Sequence, residues 1–203
     1  MEEEIEVVAF ACRGTLLDWS GAIEAVAYEL ARCNGESPLD RGAALRRRVE
    51  TLADGHGLAR GFERLARERG YRGEESGEES LARVVAMARP LRGAREAVAL
   101  AARSGRRLVA ISRGESPGAL YLFGGAFEAV LGDLDADRIG AAPGKVLYVT
   151  ASARRREEAR ALGMRAVAPG DLAGALAAWR PEVRALGVAS IGAHKERHAA
   201  VAA

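Results

Sequence analysis

Cysteine, lysine and long apolar runs are scarce in this sequence, and each scarcity excludes something. Cys12 and Cys33 are the only cysteines, too few for a disulfide framework or a zinc cage. The chain contains no unbroken apolar stretch of the roughly eighteen residues that a membrane-spanning helix requires. The acidic start Met1-Glu2-Glu3-Glu4 leads straight into a strand-like run and lacks the layout of a signal peptide, so a cytoplasmic location is expected. An excess of either charge is also lacking. The 30 Lys and Arg against 28 Asp and Glu leave a net charge of +2, which offers no clustered basic face for nucleic acid. Lys145 and Lys195 are the only lysines, and beside the abundant Ala and Gly this reads as genome composition rather than function. No internal repeat is present.

What is present is a pattern of buried strands and amphipathic helices. The 203 residues, 49% of them hydrophobic, suit one sizeable domain or a core with a small insert. The run 5–11 is short, apolar, rich in β-formers and closed by Gly14, the pattern of a strand buried on both faces. The runs 107–111, 127–131, 146–149 and 165–168 repeat it. Helical patterns lie between most of them. Ala94, Ala97, Val98 and Ala101 keep helical spacing up to Gly105, and a second helix closes at Gly163. Strand and helix in alternation predict an α/β, doubly wound parallel sheet of Rossmann type.

One stretch, from Asp18 to about Met87, carries helical spacing alone. Ile23, Val26, Ala27 and Leu30 share a face, as do Leu45, Val49 and Leu52, then Phe62 and Leu65, then Leu81, Val84 and Val85. This predicts an inserted helical cap over 19–87, an α/β core built from 1–18 and 88–181, and a tail over 182–203. The cap is expected over the carboxyl ends of the strands, the edge at which open α/β sheets bind ligands.

The segment Val7-Val8-Ala9-Phe10-Ala11-Cys12-Arg13-Gly14-Thr15-Leu16-Leu17-Asp18 resembles the first motif of the haloacid dehalogenase-like (HAD) superfamily, a hydrophobic run followed by Asp-x-Asp-Gly-Thr-Leu. Arg89-Pro90-Leu91-Arg92-Gly93 resembles that family's return from a helical cap into the core. The run 108–114 resembles its second motif, with Ser112 in the place of the hydroxyl that binds the transferred group. Gly140-Ala141-Ala142-Pro143 is the best match to the third motif, with Ala142 where a lysine belongs and no helix following. Val149-Thr150-Ala151-Ser152 resembles the fourth. The resemblance spans most of Ile5 to Pro169 and implies the HAD-like fold in its helical-cap form.

The same resemblance implies that the chemistry has been lost. The family's nucleophilic aspartate falls at Ala11 and its acid/base aspartate at Arg13. Its metal-binding aspartates fall at Ala151 and at Arg155 or Arg156. A methyl group cannot attack carbon or phosphorus, and arginines repel the magnesium that carboxylates would hold. The expectation is a catalytically degenerate protein with no catalytic residue, cofactor or metal. Its role would be binding or regulatory, through a small anion (phosphate, sulfate or carboxylate), a protein partner or a homodimer, without nucleic acid or membrane.

Several residues carry two readings. Arg13 is either an anion clamp, joined by Gly14, Thr15 and Ser112, or a drifted residue whose head reaches solvent. Arg113 shares both readings. Cys12 is a replacement nucleophile in a rearranged hydrolase with Arg13 and Ser112, or inert packing. Lys145 is a displaced motif-three lysine, or a residue at the amino end of the sheet. Asp133, Asp135 and Asp137 alternate like a calcium loop, but Arg138 and Gly144 stand where glycine and glutamate are required, so a solvated loop is expected. His194 and His198 fit a metal pair on a helix or a polar tail. Trp19 and Trp179 are read as packing anchors. A purely structural subunit is the third functional reading.

Overall fold

Five short apolar runs become five parallel strands, the inner three hydrogen-bonded along both edges and the outer two along one. They are β1 (Val7–Ala11), β2 (Arg107–Ile111), β3 (Ala129–Leu131), β4 (Val146–Val149) and β5 (Arg165–Val167). The computed structural model describes residues 4–36, 42–53, 57–71, 76–112 and 117–178. Arg113, Trp179 and the His194–His198 run lie outside the described residues. The sheet runs β3-β2-β1-β4-β5, with Ala11 beside Ile111 and Phe10 beside Val149. The chain therefore builds outward on one side of β1 and then crosses to the other. The reversal falls between β1 and β4, and in open α/β sheets the carboxyl ends of the strands at such a point are where ligands bind.

Side chains alternate between two cores, as a strand's period of two requires. Val8, Phe10, Leu108, Ala110, Leu147 and Val149 face one core. It is shared with α5 (Ala94–Arg103) and α8 (Leu172–Ala178). Val7, Ala9, Ala11, Val109, Ile111 and Tyr148 face the other, with Ile139, Ala159 and Met164. Those last residues belong to or follow α6 (Ala136–Ile139) and α7 (Ala153–Ala161). All five residues of β1 are buried, so no polar residue interrupts it.

The stretch read as purely helical forms α1 (Trp19–Cys33), α2 (Gly42–Ala53), α3 (Leu58–Arg69) and α4 (Gly77–Met87). Asp18 caps α1 by accepting from the Gly21 N–H at 2.9 Å. Ser76 and Glu79 form a capping box at the start of α4. The apolar stripes named by spacing are the ones that pack: Ile23, Val26, Leu45, Val49, Phe62, Leu65 and Val84 join the core that also holds Val8 and Phe10. Trp19 is 1% exposed, the anchor expected of it, and its indole N–H has no partner among the described residues. Among the described residues, no helix is long and apolar enough to cross a membrane.

Two glycines let these helices approach closely. A Cβ on Gly61 of α3 would lie 2.4 Å from the Val49 carbonyl oxygen of α2. A Cβ on Gly77 of α4 would lie 2.1 Å from the Ala59 carbonyl oxygen of α3. Gly174 of α8, by contrast, has nothing within 4 Å of its would-be Cβ. Gly61→Ala is expected to cost about 1–3 kcal/mol, because backbone must move, and to lower the melting temperature by several degrees. Gly174→Ala should raise stability by about 0.5–1 kcal/mol through helix propensity. Thermal unfolding of the two variants checks the pair; equal shifts would refute the close approach of α2 and α3.

Candidate functional site

The site is built where β1 ends. Beyond Ala11 the chain curls back on itself. The N–H groups of Leu16 and Leu17 both donate to the Cys12 carbonyl oxygen at 3.0 Å, and the Gly14 N–H donates to the Leu17 carbonyl at 3.1 Å. Gly14 has φ +69°, a left-handed conformation that favours glycine, so this loop needs a glycine at that position. The loop then meets the chain returning from the helices. Asp18 N–H donates to the Arg89 carbonyl at 2.8 Å, and Leu91 N–H donates to the Leu16 carbonyl at 2.9 Å. The exit to the helices and the return from them are thus bonded side by side, at the Arg89-Pro90-Leu91 segment singled out in the sequence.

The carboxyl ends of all five strands are tied together here. Cys12 N–H donates to the Ile111 carbonyl at 3.0 Å, and Ser112 N–H to the Leu131 carbonyl at 2.8 Å. Thr15 Oγ1 accepts from the Ala151 N–H at 3.0 Å, joining the motif-one loop to the end of β4. Thr15 and Ser112 are each 6% exposed, so both residues lie in a buried part of the edge. Thr150 N–H donates to the Val167 carbonyl at 3.1 Å. Ala11, Thr15, Ser112 and Ala151 therefore lie together at this edge, as the motif order implies.

The charged residues resolve differently. Arg13 Nη2 reaches Glu50 Oε1 of α2 at 2.9 Å. Arg46 Nη1, one turn earlier on α2, holds Glu50 Oε2 at 3.0 Å, and its Nε lies 3.8 Å from Glu24 of α1. Of the donors read as an anion clamp, the Arg13 head meets the chain's own carboxylate and the Gly14 N–H is taken by Leu17. The two arginines of the fourth motif part at the start of α7. Ser152 caps α7 by accepting from the Arg155 N–H at 3.3 Å, and one residue further on Arg156 turns back to the strand. Its Nη1 donates to the carbonyl oxygens of Thr150 at 2.9 Å and Ala151 at 3.0 Å. Arg155 instead lines a 190 Å³ groove with Asp133, Leu134, Tyr148 and Leu162.

Magnesium does not fit this set of residues. A hard cation needs oxygen ligands with negative charge, and the described residues of the edge present two methyl groups, at Ala11 and Ala151, and a guanidinium already bonded to the carbonyls that follow β4.

The match placing Ala142 at the lysine of the third motif needs correction. Ala142 caps the 3-10 turn Pro143–Lys145, which runs directly into β4, so it lies at the amino edge, away from the site. The connection from β3 to β4 retains a helix of only four residues, and Ala142 lies beyond its C-terminal end, next to β4. Lys145 also stands at the amino edge, as its place before a strand suggested, with Nζ 2.6 Å from Glu6 Oε1. Asp135 serves as the N-cap of α6, accepting from the Asp137 N–H at 3.0 Å. Cys12 is 1% exposed. Glu50 and Arg46 were missed by the sequence reading; their only signal was an Arg–Glu pair four residues apart on the polar edge of a helix.

Comparison with known proteins agrees with this geometry. No family model matches the chain, and no curated protein does. Solved structures do. One is a dehalogenase with an intermediate complex, 15% identical over 83% of this chain and 86% of that chain, with a TM-score of 0.64. Another is a putative beta-phosphoglucomutase from Thermotoga maritima, 17% identical over 86% of this chain and 99% of that one, with a TM-score of 0.61. A third is a HAD-superfamily hydrolase of subfamily IA from Geobacter sulfurreducens, 20% identical over 81% and 86%, with a TM-score of 0.57. At these identities the likeness is one of fold, and this chain has the fold of the HAD-superfamily hydrolases.

Proposed function

We propose that this chain is a non-catalytic protein on the HAD hydrolase fold, with a binding or regulatory role centred on the carboxyl edge of β1. Its four helices, α1 to α4, act as a cap over that edge, and the ligand is a small oxyanion held through Arg13. The proteins that share the fold include dehalogenases and a phosphoglucomutase. Their reactions need a group that attacks and charges that steady the transferring group. The observation that carries the reading is Arg156: its guanidinium is bonded to the carbonyl oxygens of Thr150 and Ala151, where a metal-dependent site would need negative charge. Ala11 offers only a methyl group at the end of β1. A cytoplasmic protein, partnered by another protein or by a second copy, remains part of the proposal.

Dehalogenase and phosphatase assays with generic substrates are expected to stay at background, with or without magnesium. Titration calorimetry should detect no magnesium binding below about 10 mM. Turnover that survives repurification and disappears in Cys12→Ala would overturn the proposal in favour of a hydrolase rearranged around Cys12, Arg13 and Ser112.

Arg156→Ala tests the residue on which the reading rests. Its charged hydrogen bonds to two carbonyls are partly solvated, so the loss is expected near 1 kcal/mol. In a chain of this size that is a fall in melting temperature of about 2–4 °C. A variant carrying Ala11→Asp, Arg13→Asp, Ala151→Asp and Arg156→Asp should gain measurable magnesium affinity, while Ala11→Asp alone should not. Magnesium binding by the parent at the affinity of the fourfold variant would refute the reading.

A further inference from the structure

Glu50 sits in an unusual position for a helix-surface carboxylate. One oxygen is 2.9 Å from Arg13, on the motif-one loop, and the other is 3.0 Å from Arg46, on its own helix. The carboxyl group is thus held between two guanidinium groups, one from the core and one from the helical insert. Its side chain is 27% exposed and that of Arg13 is 39% exposed, so both remain within reach of solvent and of a solute. A carboxylate presents to arginine the same planar pair of oxygens that a small carboxylate or one face of a phosphate would present.

We infer that Glu50 is an intramolecular stand-in for the oxyanion, and that ligand binding at Arg13 displaces it and releases the α2 contact with the core. The inference rests on the proposed anion-binding role of Arg13 and adds the regulation of that same site. Arg46 keeps Glu50 in place from the insert side, with Glu24 3.8 Å from Arg46 Nε. When Glu50 leaves Arg13 it therefore retains a partner on α2, and the swap leaves no carboxylate unpaired. The insert and the core are otherwise joined near this point by the two side-by-side chain crossings at Asp18–Arg89 and Leu16–Leu91. Exchange of the Glu50 contact for a ligand consequently alters how firmly α2 is held against the motif-one loop. The protein becomes a sensor in which anion occupancy is read as the looseness of a helical layer.

The test is competition. Inorganic phosphate is titrated against the parent, Glu50→Gln, Arg13→Ala and the double variant Arg13→Ala/Glu50→Gln, with affinity read by calorimetry and by the shift in melting temperature. Glu50→Gln removes the competing charge but keeps the shape, so phosphate should bind it about fivefold more tightly than the parent, the ratio that a partly exposed ion pair of about 1 kcal/mol supplies. Both variants lacking Arg13 should bind at least tenfold more weakly than Glu50→Gln. Hydrogen exchange along α2 should rise with phosphate in the parent and be raised already in unliganded Glu50→Gln. Glu50→Ala should move affinity in the same direction, which guards against a folding defect peculiar to one variant. Equal affinity of the parent and Glu50→Gln, with binding still lost in Arg13→Ala, would overturn the competition while leaving the anion-binding reading intact. Absence of phosphate binding in parent and Glu50→Gln alike would overturn both.

Discussion

Strand β1 is held along both edges by backbone hydrogen bonds to β2 and β4 and is packed on both faces by separate cores. In a dry interior each of its N–H and C=O groups must find a partner, and parallel pairing on two sides supplies them. Its end therefore cannot shift without carrying β2 and β4 with it. Everything at the carboxyl edge is referred to that fixed point. The Cys12–Asp18 loop folds back on the Cys12 carbonyl, Thr15 ties the loop to Ala151 on β4, and the return crossing at Leu91 is bonded to Leu16. Rigid support of this kind is what a ligand site requires, whether or not chemistry takes place there.

On this scaffold the sign of the local charge decides what the edge can hold. Carboxylates placed here would gather a cation; arginines placed here must find carbonyl oxygens or anions, because an unpaired guanidinium out of water is costly. Arg156 finds the end of β4 and Arg13 finds Glu50. The Arg13 pair is partly exposed, so its contribution to stability is at most about 1 kcal/mol. Its consequence is geometric: it links α2 to the loop that follows β1. A weak link between two layers suits a contact that is made and broken, whereas the apolar packing of Val49, Phe62 and Leu65 keeps the helices assembled with one another.

Strands β2 and β4 were legible to the residue, because a run of apolar β-formers ended by a charged or turn residue has few other ways to be buried. β1 and β3 were read two residues too long at their amino ends. Ile5 and Phe127 are apolar and packed, but they lie before the sheet pairing begins, and periodicity cannot tell packing from pairing. The insert was legible through its stripes, and Gly14 through the turn it closes. The four-residue α6 was not, since a single turn of helix is too short to show a period.

The order of apolar runs, turns and helical stripes in the sequence determined by itself that this chain would form a doubly wound sheet with a helical insert after the first strand. The resemblance of its motifs to those of the HAD superfamily also set Ala11, Thr15, Ser112 and Ala151 at the carboxyl edge, where the loop after β1 meets the ends of β2 and β4. Only the tertiary structure decided where the long arginine heads go. Arg13 lies 37 positions from Glu50, and a side chain with several rotatable bonds takes its direction from whichever partner the fold brings near. Short side chains inherit their place from the backbone, while long charged ones choose theirs from the assembled surface.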